Sequence, residues 1–395
     1  MYYQDAVFKE LKSLPGIPST YLDSGGLKIY TNLDLKAQTI LENNINKTIK
    51  NDKLQVNSVI MEPNTSKIIA LIGGRDYNKS EFNRSINSKR QVGSTMKPIL
   101  YYTALENGFT ESSSFMSQKT TFNLDNDITY TPQNYGNIYG NKEISMALAI
   151  ALSDNVYAIK THLFLGENAM IDTAYKMGIK TKLEPIASLP LGTTELNIIE
   201  ITTVYATLAS NGIYNEPYLI NKVCVMNDNV IYEHKSDSYQ VLDENYTYIL
   251  NNMLSLTYDY DMIDYSYPTN ISIKALLTNK YAIKSGSTDI DNWVIGFNKN
   301  AVMSIWVGYD DNTKLLENDY KYIKKIWANT MEKYLKDKDN TWYSKPDDVI
   351  GVFVDPISGN LFSENNKKKK LFYYLIGTEP TQIETVLKEK KEVKE

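Results

Sequence analysis

The sequence predicts an α+β (mixed α/β) fold, an antiparallel central sheet flanked by helices. Three observations carry that expectation. VNSVIMEP and KIIALIGG, joined by Asn64-Thr65-Ser66, read as an apolar hairpin. From residue 281, KYAIKSG, NWVIGF and AVMSIWVGY follow one another, the last two joined by Asn298-Lys299-Asn300, as in an antiparallel meander. The helical patterns are grouped between these sheet segments and do not alternate regularly with strands, which argues against a uniform βα repeat.

Taken in order, Gly26–Asn32 alternates like a strand after a Gly-Gly turn. DLKAQTILENNINKTI follows, with Leu35, Ala37, Ile40, Leu41 and Ile45 at helical spacing and Asn32 or Asp34 as cap. A helix is expected from Ser94 to Glu106, stopped by Asn107-Gly108. Further helices are expected over about 143–152, Glu195–Ser210 and about 319–336. After Pro346 come a strand, DVIGVFVD, a turn at Pro356–Gly359, the basic run Lys367–Lys370, and a tail, KEKKEVKE, expected to fray. The division expected is 1–50 as a linker-like lead-in, 51–343 as the main domain, and 344–395 as an extension or small lobe.

Composition bounds the chemistry. With 395 residues, 42% hydrophobic and 23% charged, the chain is long enough for a large core and is not wholly disordered. Its net charge of −5 argues against nucleic acid as a partner. A single cysteine, Cys224, excludes an intramolecular disulfide and a Cys-based zinc site. Only two histidines occur, so a His-based triad or metal centre starts at a disadvantage, and no metal or cofactor is expected. A catalytic base would then be a lysine or a carboxylate. The 31 tyrosines, and three arginines among 42 basic residues, read as AT-rich codon bias. No run of signal or transmembrane length is visible.

Three short motifs occur in order: Ser94-Thr95-Met96-Lys97, Ser153-Asp154-Asn155, and Lys284-Ser285-Gly286-Ser287-Thr288. Singly, each has a bland reading: a capped helix with an exposed lysine, a helix-ending turn, a strand with a polar end. Together and in this order they form the serine-based signature of penicillin-binding proteins and class A β-lactamases. The physics points the same way. Lys97 lies one turn beyond Ser94 and, if neutral, can take its proton. Burial and a second cation, Lys284, would both favour the neutral amine. A helix N-terminus favours a developing alkoxide at Ser94. Its N–H with that of Ser287 can form an oxyanion hole. The Ser153 hydroxyl can relay a proton to a leaving amine, and the Asn155 carboxamide can bond both Lys97 and a substrate carbonyl. Gly286 lets a peptide approach the strand closely, and the hydroxyls of Ser285, Ser287 and Thr288 beside Lys284 suit a terminal carboxylate.

Beyond these motifs, GGLKIYTNLD, ALIGGRDY, FNRS, RQVGSTMKP, YTPQNY, ISMALAIALSDN, LPLGTTELN, YATLASNG and KSGST with DNWVIGF resemble the transpeptidase part of a bifunctional (class A) penicillin-binding protein from a low-GC bacterium, over about 30–340. The resemblance implies the fold shared by penicillin-binding proteins and serine β-lactamases. It implies D,D-transpeptidation of peptidoglycan stem peptides through an acyl-enzyme on Ser94, with a D-Ala-D-Ala donor, an amine acceptor and inhibition by β-lactams. It further implies the cell-wall synthesis machinery as partner and the extracytoplasmic face of the membrane as location. The anchor and glycosyltransferase domain that precede this region in the family are not in the sequence, so a piece of a longer protein is expected. The third motif is more often Lys-Thr-Gly-Thr, and Ser285 and Ser287 keep the hydroxyls without the methyls. The second usually has an uncharged middle residue, whereas Asp154 resembles the β-lactamases.

The rival readings are a D,D-carboxypeptidase or β-lactamase, where water takes the acyl group, and an idle scaffold of the same fold. A class A β-lactamase needs a loop glutamate in Glu-x-x-x-Asn spacing. Here Thr193 stands four before Asn197, so Glu195 is expected as an acid in the first turn of the 195–210 helix.

Overall fold

A computed structural model describes residues 1–124, 129–225, 228–363 and 368–383, the side chains at 19, 23 and 24 excepted. The tail KEKKEVKE and Lys367 of the basic run lie outside the described residues.

The centre is a five-stranded antiparallel sheet in the order Ala282–Ser287, Asp291–Asn298, Ala301–Gly308, Gln55–Met61, Ile68–Ile72. The expected hairpin and meander are therefore neighbours in one sheet, joined where Ile305 faces Ser58 and Trp306 faces Asn57. Helices cover both faces, which is why these strands read as nearly unbroken apolar runs. On one face, Ile40 and Leu41 of helix Leu35–Thr48 and Ile323 and Trp327 of helix Asp319–Leu335 pack on Val56, Ile283, Val294 and Met303. On the other, Ile99 and Leu100 of helix Lys97–Glu106 and Ile201 and Tyr205 of helix Ile198–Ala209 pack with Val59, Ala282, Ile295 and Val302. Strand alternation puts Lys284 and Gly286 on the Ala282 face and Ser285 and Ser287 on the Ile283 face, at the sheet's edge.

Other expectations meet the structure in detail. Lys28–Thr31 is a strand, paired with Ile220–Cys224. Asp34 caps the next helix, accepting from the N–H groups of Lys36 and Ala37. Helix Tyr2–Ser13 buries Tyr3, Ala6 and Leu11 in the second of these cores, and Val349–Val354 pairs with Lys370–Leu375 beside it.

Three boundaries differ. The helix expected over 143–152 starts at Met146, because Lys142–Ser145 pairs as a strand with Ser114–Ser117, and Ser145 caps the helix. The helix expected from Glu195 starts at Ile198, capped by Asn197 with Glu200 reaching back in a capping box. Glu195 therefore lies outside the first turn, in a two-residue strand opposite Gln91. The first-turn acid expected at Glu195 is instead Glu200. The Ser94 helix is two pieces, treated next.

Candidate active site

The segment Gly93–Met96 is a 3₁₀ turn, and the α-helix proper runs from Lys97 to Glu106. The change has a physical consequence. At three residues per turn, positions i and i+3 eclipse, so Ser94 and Lys97 stack more directly than in an α-helix. The Lys97 N–H donates to the Ser94 carbonyl, and Pro98 sits in the first helical turn, where no N–H is needed.

Close backbone packing holds this turn against the edge strand. A Cβ on Gly286 would lie 2.4 Å from the Val92 carbonyl oxygen and 2.9 Å from the Thr95 nitrogen. Gly93 adopts φ +57 and donates its N–H to the Gly192 carbonyl at 3.1 Å. A Cβ on Gly192 would in turn sit 2.0 Å from the Gly93 oxygen. Tyr205 donates to the Thr95 carbonyl at 2.9 Å and Trp293 to the Gln91 carbonyl at 2.8 Å, pinning the turn from below.

The second motif bridges two helices. Ser153 ends helix Met146–Leu152 in the left-handed region, φ 59 and ψ 42, and Asn155 opens helix Asn155–Leu165. A non-glycine residue there costs on the order of 1–2 kcal/mol, which the surroundings must offset. Asp154 supplies much of that. It is buried, and one oxygen accepts the Tyr157 N–H at 2.7 Å while the other accepts from Ser117 at 2.5 Å, Asn134 at 2.7 Å and Tyr265 at 2.7 Å. Asn134 also receives the Asn155 N–H at 2.7 Å.

Lys97 and Lys284 are both fully buried. Lys97 Nζ donates to the carbonyl of Ser153 at 2.8 Å, to that of Asp154 at 3.2 Å and to Asn155 Oδ1 at 2.7 Å, and lies 3.2 Å from Ser153 Oγ. Lys284 Nζ lies 2.9 Å from the same Oγ and donates to the Ser285 carbonyl at 2.8 Å. Two lysines thus converge on one hydroxyl. Burial pulls the Lys97 amine down to about 7, against the counteracting charge of Asp154. Burial, then the charges of Lys97 and Lys324, drive Lys284 well below the ordinary lysine range. Lys324, brought down to about 8 by burial, donates to the Thr269 carbonyl, and the Thr269 N–H bonds the carbonyl of Ala151, two residues before Ser153.

The remaining expected residues fall as follows. The Ser94 hydroxyl is half-buried and has no hydrogen-bond partner among the described residues; it does not bond Lys97. Ser287 is exposed and Ser285 half-buried, with neither hydroxyl engaged among the described residues. Thr288 stands apart: its hydroxyl is held within its own turn, accepting from the N–H groups of Ile290 and Asp291. Asn155 Nδ2 donates to the Gln133 carbonyl at 2.7 Å. Ser117, Asn134, Tyr265 and Lys324 carry no motif of their own. Only the YTPQNY stretch around Asn134 stood out in the sequence. Among the described residues no His, Cys, Asp and Glu cluster is arranged to hold a metal ion.

The sequence profile of the penicillin binding protein transpeptidase domain matches residues 57–332, which span the whole of this constellation. The chain belongs to this family. As a member of the transpeptidase domain family it is 39% identical over 385 residues to penicillin-binding protein 2D of Bacillus subtilis, covering 97% of this chain and 56% of that protein. It is 28% identical over 333 residues to penicillin-binding protein 1A of Aquifex aeolicus, covering 83% of this chain and 44% of that one. The chain spans about half the length of these relatives. In fold it is similar to the PonA1 protein of Mycobacterium tuberculosis in complex with penicillin V, with a TM-score of 0.76, 22% identity, and coverage of 87% and 95% of the two chains. Penicillin-binding protein 1A of Haemophilus influenzae gives 0.75 at 24% identity, covering 84% and 55%.

The glycine contact in this transpeptidase domain makes one outcome easy to foresee. Gly286→Ala has no flexible neighbour to displace, because its Cβ meets backbone atoms on the other side. The strand and the Ser94 turn must separate, and a displacement of roughly 1 Å at a reacting group costs on the order of 10²-fold in rate. Acylation by a fluorescent penicillin, followed by stopped flow, should slow by that order; a rate within a factor of about two of wild type would overturn the account.

Proposed function

We propose that this chain is a D,D-transpeptidase domain that crosslinks peptidoglycan stem peptides and is acylated by β-lactams. The observation that carries the reading is the convergence of two buried lysines on Ser153 Oγ, with Ser94, whose hydroxyl has no hydrogen-bond partner among the described residues, one turn before Lys97. Ser94 Oγ attacks the carbonyl carbon of the penultimate D-Ala while its proton passes to the neutral Lys97 amine. A lysine at about 7 holds comparable populations of both forms near neutrality, as a general base should. The neutral amine donates to the Ser153 carbonyl and Asn155 Oδ1 and keeps its lone pair for the incoming proton. The backbone N–H groups of Ser94 and Ser287 receive the oxyanion.

When the tetrahedral intermediate collapses, the C–N bond breaks and the leaving D-Ala amine takes a proton through Ser153, which Lys97 and Lys284 flank. An acceptor amine then attacks the ester, forms the crosslink and returns Ser94 its proton. Lys284, with the hydroxyls of Ser285 and Ser287, binds the donor's terminal carboxylate. Thr288 supports the turn that ends this strand. Asp154 is a positioning residue for the Ser153–Asn155 corner. A β-lactam, which mimics the D-Ala-D-Ala end, stops at the acyl-enzyme.

The natural location in this reading is the extracytoplasmic face of the membrane, among the cell-wall synthesis machinery. No described helix is long and apolar enough to cross a membrane.

Mass spectrometry beside a chromogenic cephalosporin assay tests the reading against hydrolysis. Glu195 is exposed in its short strand, so no water-holding base is assigned to it. The expected result is one adduct per chain and a stoichiometric burst followed by almost no turnover. Sustained turnover above about 1 s⁻¹, a common enzymatic rate, abolished by Glu195→Gln, would make the enzyme a β-lactamase.

A further inference from the structure

A cavity of about 410 Å³ lies away from the Ser94 site, between the helix Glu244–Ser255, the strand Lys370–Leu375 and the segment that leads into Ala282–Ser287. Its charge is unbalanced. Lys370 is paired with two carboxylates, Asp259 and Asp261, which more than balance its charge. Lys274 and Lys280 have no carboxylate within ion-pair distance among the described residues. Lys280 Nζ donates to Asn252 Oδ1 at 2.6 Å and lies 4.5 Å from the centre of the Trp342 ring. Lys274 rests its ammonium over Tyr258, 5.1 Å from the ring centre, with no hydrogen-bond acceptor among the described residues.

The wall opposite holds a carboxyl group of unusual kind. Glu111 is 1% exposed, and one of its oxygens accepts the Tyr373 N–H at 2.9 Å. The other has no hydrogen-bond partner among the described residues. Burial pushes this carboxyl well above the ordinary glutamate range, against the charge of Lys280, and so favours its neutral form.

We infer that this cavity binds a small oxyanion, a carboxylate or phosphate group, between Lys274 and Lys280. The two ammonium groups of Lys274 and Lys280 give charge-assisted hydrogen bonds, and the Tyr258 and Tyr373 rings give the ligand's body an apolar wall. The site is separate from the donor-carboxylate subsite at Lys284, although Lys280 stands two residues before that strand begins.

Isothermal titration of the full chain with inorganic phosphate, and separately with citrate, tests the site. The result expected is one saturable binding event for at least one probe. Phosphate alone identifies a phosphate-type ligand and citrate alone a carboxylate type, and either supports the site. The double variant Lys274→Gln, Lys280→Gln should bind roughly tenfold or more weakly, as losing hydrogen bonds from charged donors requires. Lys280→Arg, which keeps the charge, should retain binding. Lys284→Met should leave the affinity unchanged. Non-saturating heats with both probes, an unaltered affinity in the double variant, or a loss confined to Lys284→Met would each overturn the inference.

Discussion

Replacing Ser94 by alanine removes covalent labelling by penicillin entirely and leaves the protein folded. The expectation rests on what the hydroxyl does not do. It makes no hydrogen bond among the described residues, so its loss breaks none. Surface-like changes of that kind usually stay within about 0.5 kcal/mol. No other group can stand in. Cys224 is buried in a strand paired on both sides, remote from the motif in the fold. Ser153 Oγ, held between two lysine nitrogens, is committed in this reading to relaying a proton. Intact-mass measurement after incubation with penicillin should show no added mass while the thermal unfolding midpoint is retained. An adduct on the alanine variant would point to a different nucleophile.

The second large effect concerns Lys97. Arginine keeps a positive charge but cannot deprotonate, so Lys97→Arg should cut acylation by about 10²–10⁴-fold, the range for losing a general base. The wild-type rate should also rise with pH through about 7 and level off above it, because only the neutral amine takes a proton. A pH-independent rate, or near-normal acylation by the arginine variant, would remove Lys97 from the mechanism.

Lys97→Met separates chemistry from packing, and the sign of its stability effect follows from linkage. The folded amine titrates near 7 and the unfolded one at about 10.4, so between these values the unfolded chain holds more protons. The wild type therefore gains stability as pH rises across that window, and carries the full cost of a buried ammonium below it. Methionine removes that cost. Its stabilising effect should be greatest below pH 7 and fade toward about pH 10. Chemical denaturation at several pH values reads it directly.

Much of this was legible beforehand, for identifiable reasons. The apolar runs at 55–72 and 282–308 are buried on both faces, so their pattern announces strands without ambiguity. Asp34 carries its cap within its own helix start. The spacing of Ser94 and Lys97, read as catalytic in the proposed function, is local. The errors have a common source. Lys142–Ser145 became a strand through pairing with Ser114–Ser117, and Glu195–Leu196 through Arg90–Gln91, and such partners leave no trace in a local pattern. Likewise Ser117, at the end of a strand, and Asn134 and Tyr265, from two loops, meet at one carboxylate, and no spacing rule joins them. Ser153 in the left-handed region is invisible for the opposite reason, since serine has no special liking for it.

The lysine–serine junction joins residues 56 and 131 positions apart, and it rests on a sheet whose strand contact at Ser58 and Ser304 spans 246 positions. Chain segments so distant meet late in folding, after local helices have formed, because closing large loops is slow. Reactivity toward penicillin is then a gauge of how completely the molecule has assembled. During refolding from denaturant, helical circular dichroism should recover first and the ability to take an acyl group last. A protein arrested between the two would look native by its helices and yet be invisible to the antibiotic.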